Sequence, residues 1–484
     1  MPDVLTGIGL VSAVLVLSAL ASGFVERAPL SFPMIFMGIG VLIGDRGLGL
    51  IDIDSHDPTL EVLGIVTLSL VLFLDALNLR LEEFGNEWLL PVLALGPGTF
   101  LTIAMTAAGS VWLFGFSWSI ALMIGAILAS TDPVVLREVV RDRRIPGSVR
   151  RSLTAEAGTN DLVVLPAVLI LAAIGSGETG GVGGWVEFLS RLLILSPILG
   201  AIIGAAGATA MAWIDRRHGI RTEYQALYGI GLVLAAYGSV DAVGGDGFLA
   251  AFAAGFAVTL LNVDMCDCFL DYGETTSEMA MLLSFVLFGA VVSDLVGNLD
   301  LWPTLVFAGL VIFIARPLAM NLVLSRARIS GVARGFISWF GPRGLNSLLL
   351  ALLVVQAGLE QGEEVLALTG AVVGISVVLH GCSATPLAAW YDRRTQSVVL
   401  EEERSGTASD LFVEPADDVP LIGVDELALL LKSGTPPIVL DVRTRSQFNR
   451  DMTEIPGSIR VESGDIVDWI HDQDRKQMVI AYCT

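Results

Sequence analysis

ALMIGAILASTDPVV, residues 121–135, runs without a charge from Ala121 to Thr131 and then meets Asp132 followed by Pro133. A stretch this apolar belongs in a core or a bilayer, and in a bilayer a central carboxylate costs several kcal/mol, about 2.5–3.5 on insertion scales. A second stretch, TAEAGTNDLVVLP at 154–166, repeats the anomaly with Glu156 and Asp161. Three acids inside apolar runs point to an ion path or a proton relay.

The surrounding chain agrees. Of 484 residues 54% are hydrophobic and 16% charged, and the mean hydropathy is +0.72. Residues 1–394 are too apolar for a water-soluble domain and read as a polytopic membrane unit. The net charge of −22 is concentrated in the last ninety or so residues and in short connectors, so nothing points to nucleic acid. Four cysteines without disulfide spacing fit a reducing cytoplasmic face.

Hydropathy places helices at about 4–24, 30–45, 59–79, 88–113, 117–136, 153–174, 188–213, 223–240, 247–263, 277–293, 303–324, 335–357 and 365–390, thirteen in all. MPDVLTG carries no Lys or Arg, so the first stretch reads as a retained span with the N-terminus outside. On that topology Arg27, Arg80, the cluster Arg137 to Arg151, Arg216, Arg217, Arg221, Arg326, Arg328, Arg334, Arg393 and Arg394 all fall on the inner side. The positive-inside rule is obeyed, and an even helix count would scramble it. One inner connector, NVDMCDCFLDYGE at 262–274, is acidic instead.

Helices 5 and 12 carry STDP and GPRGLN, and with this count they run in opposite directions. Both contain Pro or Gly where a continuous helix disfavours it. Interrupted helices at matching places in two inverted halves point to a midplane ion site in a secondary transporter. Asp161 lies mid-helix, where desolvation favours a neutral carboxyl, one carrying a proton or a small cation. Asp132 and Thr131 precede Pro133, whose missing N–H leaves carbonyl oxygens free to coordinate. Glu156 faces elsewhere and is expected to pair with Arg316, the one arginine deep within an apolar span. Both lysines, Lys432 and Lys476, lie in the tail, so no membrane lysine carries the proton. Arg343 is expected at the cytoplasmic end of helix 12, tuning access. His380 reads as a packed, hydrogen-bonded histidine, Cys266 and Cys268 make no metal site without a nearby His, and no cofactor is implied.

ASTDPV, EAGTND, ARPLAMN, WFGPRG and HGCSATPL, in this order over about 390 residues, resemble the NhaP-type monovalent cation:proton antiporters. The resemblance implies a homodimer with a mobile six-helix core that exchanges Na+ or K+ for H+ by an elevator-like movement. It implies that Asp161 is the shared cation and proton site, that Thr131 and Asp132 contribute to it, that Asn160 orients the core, and that Glu156 pairs with Arg316. Asp75, in FLDALNLRL, matches an acidic position on the access path. Asn rather than Asp before the site acid implies one cation per proton. Ala157 stands where many relatives have Ser, which leaves ion preference open.

Residues 395–418 are acidic and polar and read as a linker. Residues 419–484 alternate helix-like and strand-like runs, an α/β pattern. Asp441, Arg443, Phe448, IPGSI at 455–459 and Cys483 resemble the rhodanese-like family. Only Thr484 follows the cysteine and Glu454 replaces the usual His, so this part reads as truncated, without sulfurtransferase activity, in a piece of a longer protein. Two rivals to antiport remain: a cation channel using the same acids, and a membrane anchor for a sulfur-handling protein.

Overall fold

The structure, a computed structural model, describes residues 31–78, 92–142, 144–177, 180–261, 267–327, 329–395, 422–432, 436–443, 453–461 and 478–482, with isolated positions elsewhere. The expected first helix, the linker after Thr395 and Cys483 fall almost wholly outside these residues. Helices dominate, and among the described residues seven are long and apolar enough to cross a membrane, with four shorter apolar ones beside them.

In chain order the helices are α1 (Phe32–Ile43), α2 (Pro58–Leu77), α3 (Thr99–Phe114), α4 (Trp118–Ile127), α5 (Pro133–Arg141), α6 (Gly147–Thr159), α7 (Asp161–Ser176), α8 (Gly181–Ser190), α9 (Ser196–His218), α10 (Thr222–Asp241), α11 (Gly247–Leu260), α12 (Asp267–Val296), α13 (Leu301–Gly309), α14 (Arg316–Val323), α15 (Gly331–Trp339), α16 (Leu345–Gln356), α17 (Gly362–Thr395) and α18 (Val424–Leu431). Two corrections to the hydropathy reading follow. Residues 267–274, read as part of an acidic connector, form the first turns of α12, and Gly181–Gly184, between the expected helices 153–174 and 188–213, begins α8.

Three wider π-type turns, Ala94–Gly98, Arg191–Leu195 and Leu310–Ala315, lie at Pro97, Pro197 and Pro317. Each proline lacks an N–H and its ring clashes with the carbonyl four residues back, so the helix takes in an extra residue. Thr99 and Ser196 hydroxyls then donate to the carbonyls of Ala94 and Arg191, at 3.0 and 2.7 Å.

The helices sort into two groups. In the first, α9 packs on α11, α11 on α2, and α12 on α1, α2 and α10. Its backbones touch: a Cβ on Gly200 or Gly204 would run into Ala250 or Ala254, and one on Gly40 or Gly289 would strike the facing helix. The second group joins α3 to α4, α4 to α7, α5 to α6, α14 to α15, and α17 to α5, α13 and α16. Between the groups the main contacts are α12 with α17, α1 with α17 and α2 with α16. A large apolar core fills both the second group and its seam with the first.

In the tail, β1 (Ile438–Asp441) lies between β2 (Ile459–Arg460) and β3 (Val479–Tyr482), all parallel. Leu440 pairs with Ile459 on one side and Ala481 on the other. Arg443 bonds both Asp441 oxygens, at 2.9 and 2.6 Å, and its guanidinium lies 5.5 Å from the Tyr482 ring.

Candidate ion site at two crossed helix breaks

The interrupted segments meet. Helix α4 stops at Ile127 and α5 begins at Pro133, while α15 stops at Trp339 and α16 begins at Leu345. Each break leaves N–H and C=O groups without helical partners, which in an apolar interior must be satisfied nearby. They satisfy one another. Asp132 N–H donates to the Pro342 carbonyl at 3.0 Å, and the Ser347 hydroxyl donates to the Ile127 carbonyl at 3.0 Å. Asp132 caps two helices at once, accepting from Val134 N–H of its own helix and Leu345 N–H of the other, both at 2.7 Å. The carboxylate thereby faces two helix N-termini, where the macrodipoles favour negative charge. Gly344 permits this approach, since a Cβ there would overlap the Asp132 carboxylate.

Two expectations are corrected at this crossing. Arg343 is not at the end of a helix on an access route; it is 2% exposed, and its Nη1 donates to the Ala129 and Ser130 carbonyls at 3.0 and 3.1 Å. The carbonyls freed by Pro133 are therefore held by arginine rather than open to a cation. Its buried Nη2 finds no acceptor among the described residues. Asp132, in turn, has both oxygens engaged by backbone donors.

Asp161 opens α7 beside the crossing and is 5% exposed. Its Oδ1 accepts from the Ser130 hydroxyl at 2.8 Å and its Oδ2 from the Asn346 amide at 2.7 Å. One donor comes from each break. Among the described residues no ion pair involves Asp161, so neutral dipoles alone hold it, and a proton or a cation must balance its charge. Asn160 turns the other way and donates to Thr131 Oγ1 at 2.5 Å, while its own Oδ1 is buried without a described partner. The α6–α7 junction is thus tied to the first break through adjacent side chains.

Glu156 and Arg316 form a bidentate pair, Nη1 to Oε1 at 2.5 Å and Nη2 to Oε2 at 3.0 Å, both side chains under a tenth exposed. The same Nη2 reaches the Phe340 carbonyl at 3.2 Å, so the pair braces α6 and α14 against the second break. Removing one partner of such a buried pair costs about 3–5 kcal/mol. His380 also belongs to this frame: Nδ1 lies 2.8 Å from the Ser376 carbonyl and Nε2 3.1 Å from the Trp339 carbonyl.

A cavity of about 250 Å³ leads to the crossing, lined by Asp75, Asp132, Arg137, Glu274 and Asn346 among others. Asp75 contributes a buried oxygen without a described partner. Asp161 sits behind Asn346, just beyond the lining. A separate cavity of about 660 Å³ on the far side lies between the ends of α7 and α16 and the α8–α9 and α10–α11 regions. Sequence reading missed Ser130 and Asn346. Both stand within the motifs it quoted, yet nothing in a linear chain says that an Asn two residues past Gly344 meets an acid 185 positions earlier.

Comparison with known proteins places this arrangement in context. The pattern described as sodium/hydrogen exchanger, transmembrane, matches residues 12–390. The chain is 26% identical over 385 residues to the K(+)/H(+) antiporter NhaP of Alkalimonas amylolytica, covering 78% of this chain and 66% of that protein. It is 29% identical over 394 residues to the K(+)/H(+) antiporter NhaP2 of Shewanella sp. (strain MR-4), covering 77% and 64%. The chain thus spans slightly less than two thirds of those relatives' length. The fold matches the sodium proton antiporter MjNhaP1 from Methanocaldococcus jannaschii at a TM-score of 0.65 and 21% identity, over 78% of this chain and 99% of that one.

Proposed function

Because this chain belongs to the sodium/hydrogen exchanger family, a family of transporters rather than enzymes, we propose that it exchanges a monovalent cation, Na+ or K+, for H+ by competition at Asp161. One observation carries the reading: a buried carboxylate held, among the described residues, by two neutral donors, one from each of two crossed helix breaks. Empty and charged, it resists transfer across an apolar seal; protonated or cation-loaded, it is nearly neutral and moves with its helices. Exchange needs no ATP.

Finer points follow from the same reading. Asp161 is the shared binding group, with Ser130 and Asn346 as its first supports and Asn160 and Thr131 bracing the junction behind it. Asp132 acts through the crossing, as a cap on two helices. Asp75 lies on the route from the 250 Å³ cavity. Asn160 before the site acid favours electroneutral exchange. Thirteen spans in two inverted repeats, the arginine-rich connectors and the tail in the cytoplasm, the N-terminus outside, a homodimer in the cell membrane and a part in pH homeostasis complete the proposal. The tail's three-stranded parallel sheet supports a rhodanese-like unit, here a regulatory appendage without sulfurtransferase activity.

The test is a proteoliposome with a pH-sensitive dye inside, challenged in turn with Na+, K+ and Li+. Cation-driven proton movement is expected for the native chain and none for Asp161→Asn, which keeps its elution profile in detergent. Full activity in that variant refutes the site. A current reversing at the cation's own equilibrium potential, without proton movement, favours a channel.

A further inference from the structure

The mouth of the 250 Å³ cavity presents a paradox for a cation route: Arg137 lines it. Arg137 stands on α5, five residues after Asp132, with its side chain 28% exposed. Its Nη1 lies 2.7 Å from Oε2 of Glu278, which projects from α12 in the other helix group and is 32% exposed. Glu274, one turn earlier on α12, and Arg141, one turn later on α5, line the same mouth, with Asp75 further in. The described end of the acidic stretch that broke the positive-inside pattern is therefore helical and brings Glu274 to this opening.

We propose that Glu278 sets the cation affinity of the inner cavity by neutralising Arg137. The inference rests on the exchange reading above. A cation approaching Asp161 from this side passes the guanidinium, and an unpaired positive charge at the entrance lowers the local cation concentration and opposes binding. The carboxylate of Glu278 cancels that field. Neither residue touches the ion site, so both act on affinity through the field at the mouth.

The proposal makes predictions of opposite sign for the two partners. In proteoliposomes at low ionic strength, Glu278→Gln raises the cation KM roughly three- to tenfold, the size expected of one unit charge in a partly hydrated mouth. Arg137→Gln lowers KM, and the double variant returns it toward the native value, with maximal rates close to native throughout. Raising ionic strength with N-methylglucamine chloride shrinks all three differences, because the mouth is exposed enough for screening. Opposite signs keep the test decisive if one single variant fails to fold. The proposal is overturned if KM is unchanged in the variants that fold. It is equally overturned if both single variants shift the maximal rate in the same direction at constant KM, which is the signature of a mechanical clasp between the two groups. Absence of cation-driven proton movement in the native chain would instead overturn the exchange reading itself.

Discussion

At the residue scale, Asp161 owes its chemistry to what surrounds it. Ser130 and Asn346 each donate one hydrogen bond to the carboxylate, and a bond to a charged group contributes about 1.5–3 kcal/mol. Deleting a donor weakens the ionised form that binds a cation and leaves the protonated form less affected. Asn346→Ala and Ser130→Ala therefore raise the apparent cation KM at fixed pH by roughly tenfold or more, measured with the same dye-loaded vesicles. Asp161 itself was legible in the sequence, because a carboxylate amid apolar residues is a conspicuous anomaly. Its supports were not, because Ser130 and Asn346 are polar but uncharged and look unremarkable on membrane helices.

At the element scale, the two breaks illustrate how interrupted helices survive in an apolar interior. Their backbone groups are satisfied by Arg343, Ser347 and Asp132 of the opposite or same break, with the chains linked directly at Pro342. In Asp132→Asn, one of the two backbone donors now faces an amide NH2 instead of an acceptor. That loss costs about 1–3 kcal/mol and lowers the thermal unfolding temperature in detergent, a readout independent of transport. Unchanged unfolding would mean that the double cap contributes little. The interruptions were readable from Pro133, Gly341 and Gly344, since those residues disfavour helix on local grounds. The carbonyls, however, looked available to a cation, and Arg343 looked peripheral. Only the crossing brings a side chain from one break to the orphan groups of the other.

At the scale of the molecule, a tightly packed group joins the site-bearing group along an apolar seam of α12, α1 and α2 against α17 and α16. At Gly64 on α2 the two groups pack closely: a Cβ there would come within 3.3 Å of Leu349 and Leu352 on α16. The elevator-like movement implied by the family resemblance would slide these surfaces past each other. Gly64→Leu wedges the seam, and overpacking of this kind costs about 1–3 kcal/mol. The maximal exchange rate is expected to fall roughly tenfold with the cation KM within about twofold, as read from initial rates at graded cation concentration. A KM change without loss of rate would place the moving surface elsewhere.

The sequence by itself determined that the chain is a helical membrane protein with buried acids at two interrupted segments, because hydropathy, charge and helix-breaking are properties of neighbouring residues. The tertiary structure alone decided which partners each group meets: Asp161 the neutral donors Ser130 and Asn346, Asp132 two helix ends, Arg343 two carbonyls and Arg137 Glu278. All but the Ser130 and Val134 contacts come from partners about 140 to 215 positions away, and hydrogen bonds and charges are satisfied by proximity in space, which no local pattern encodes.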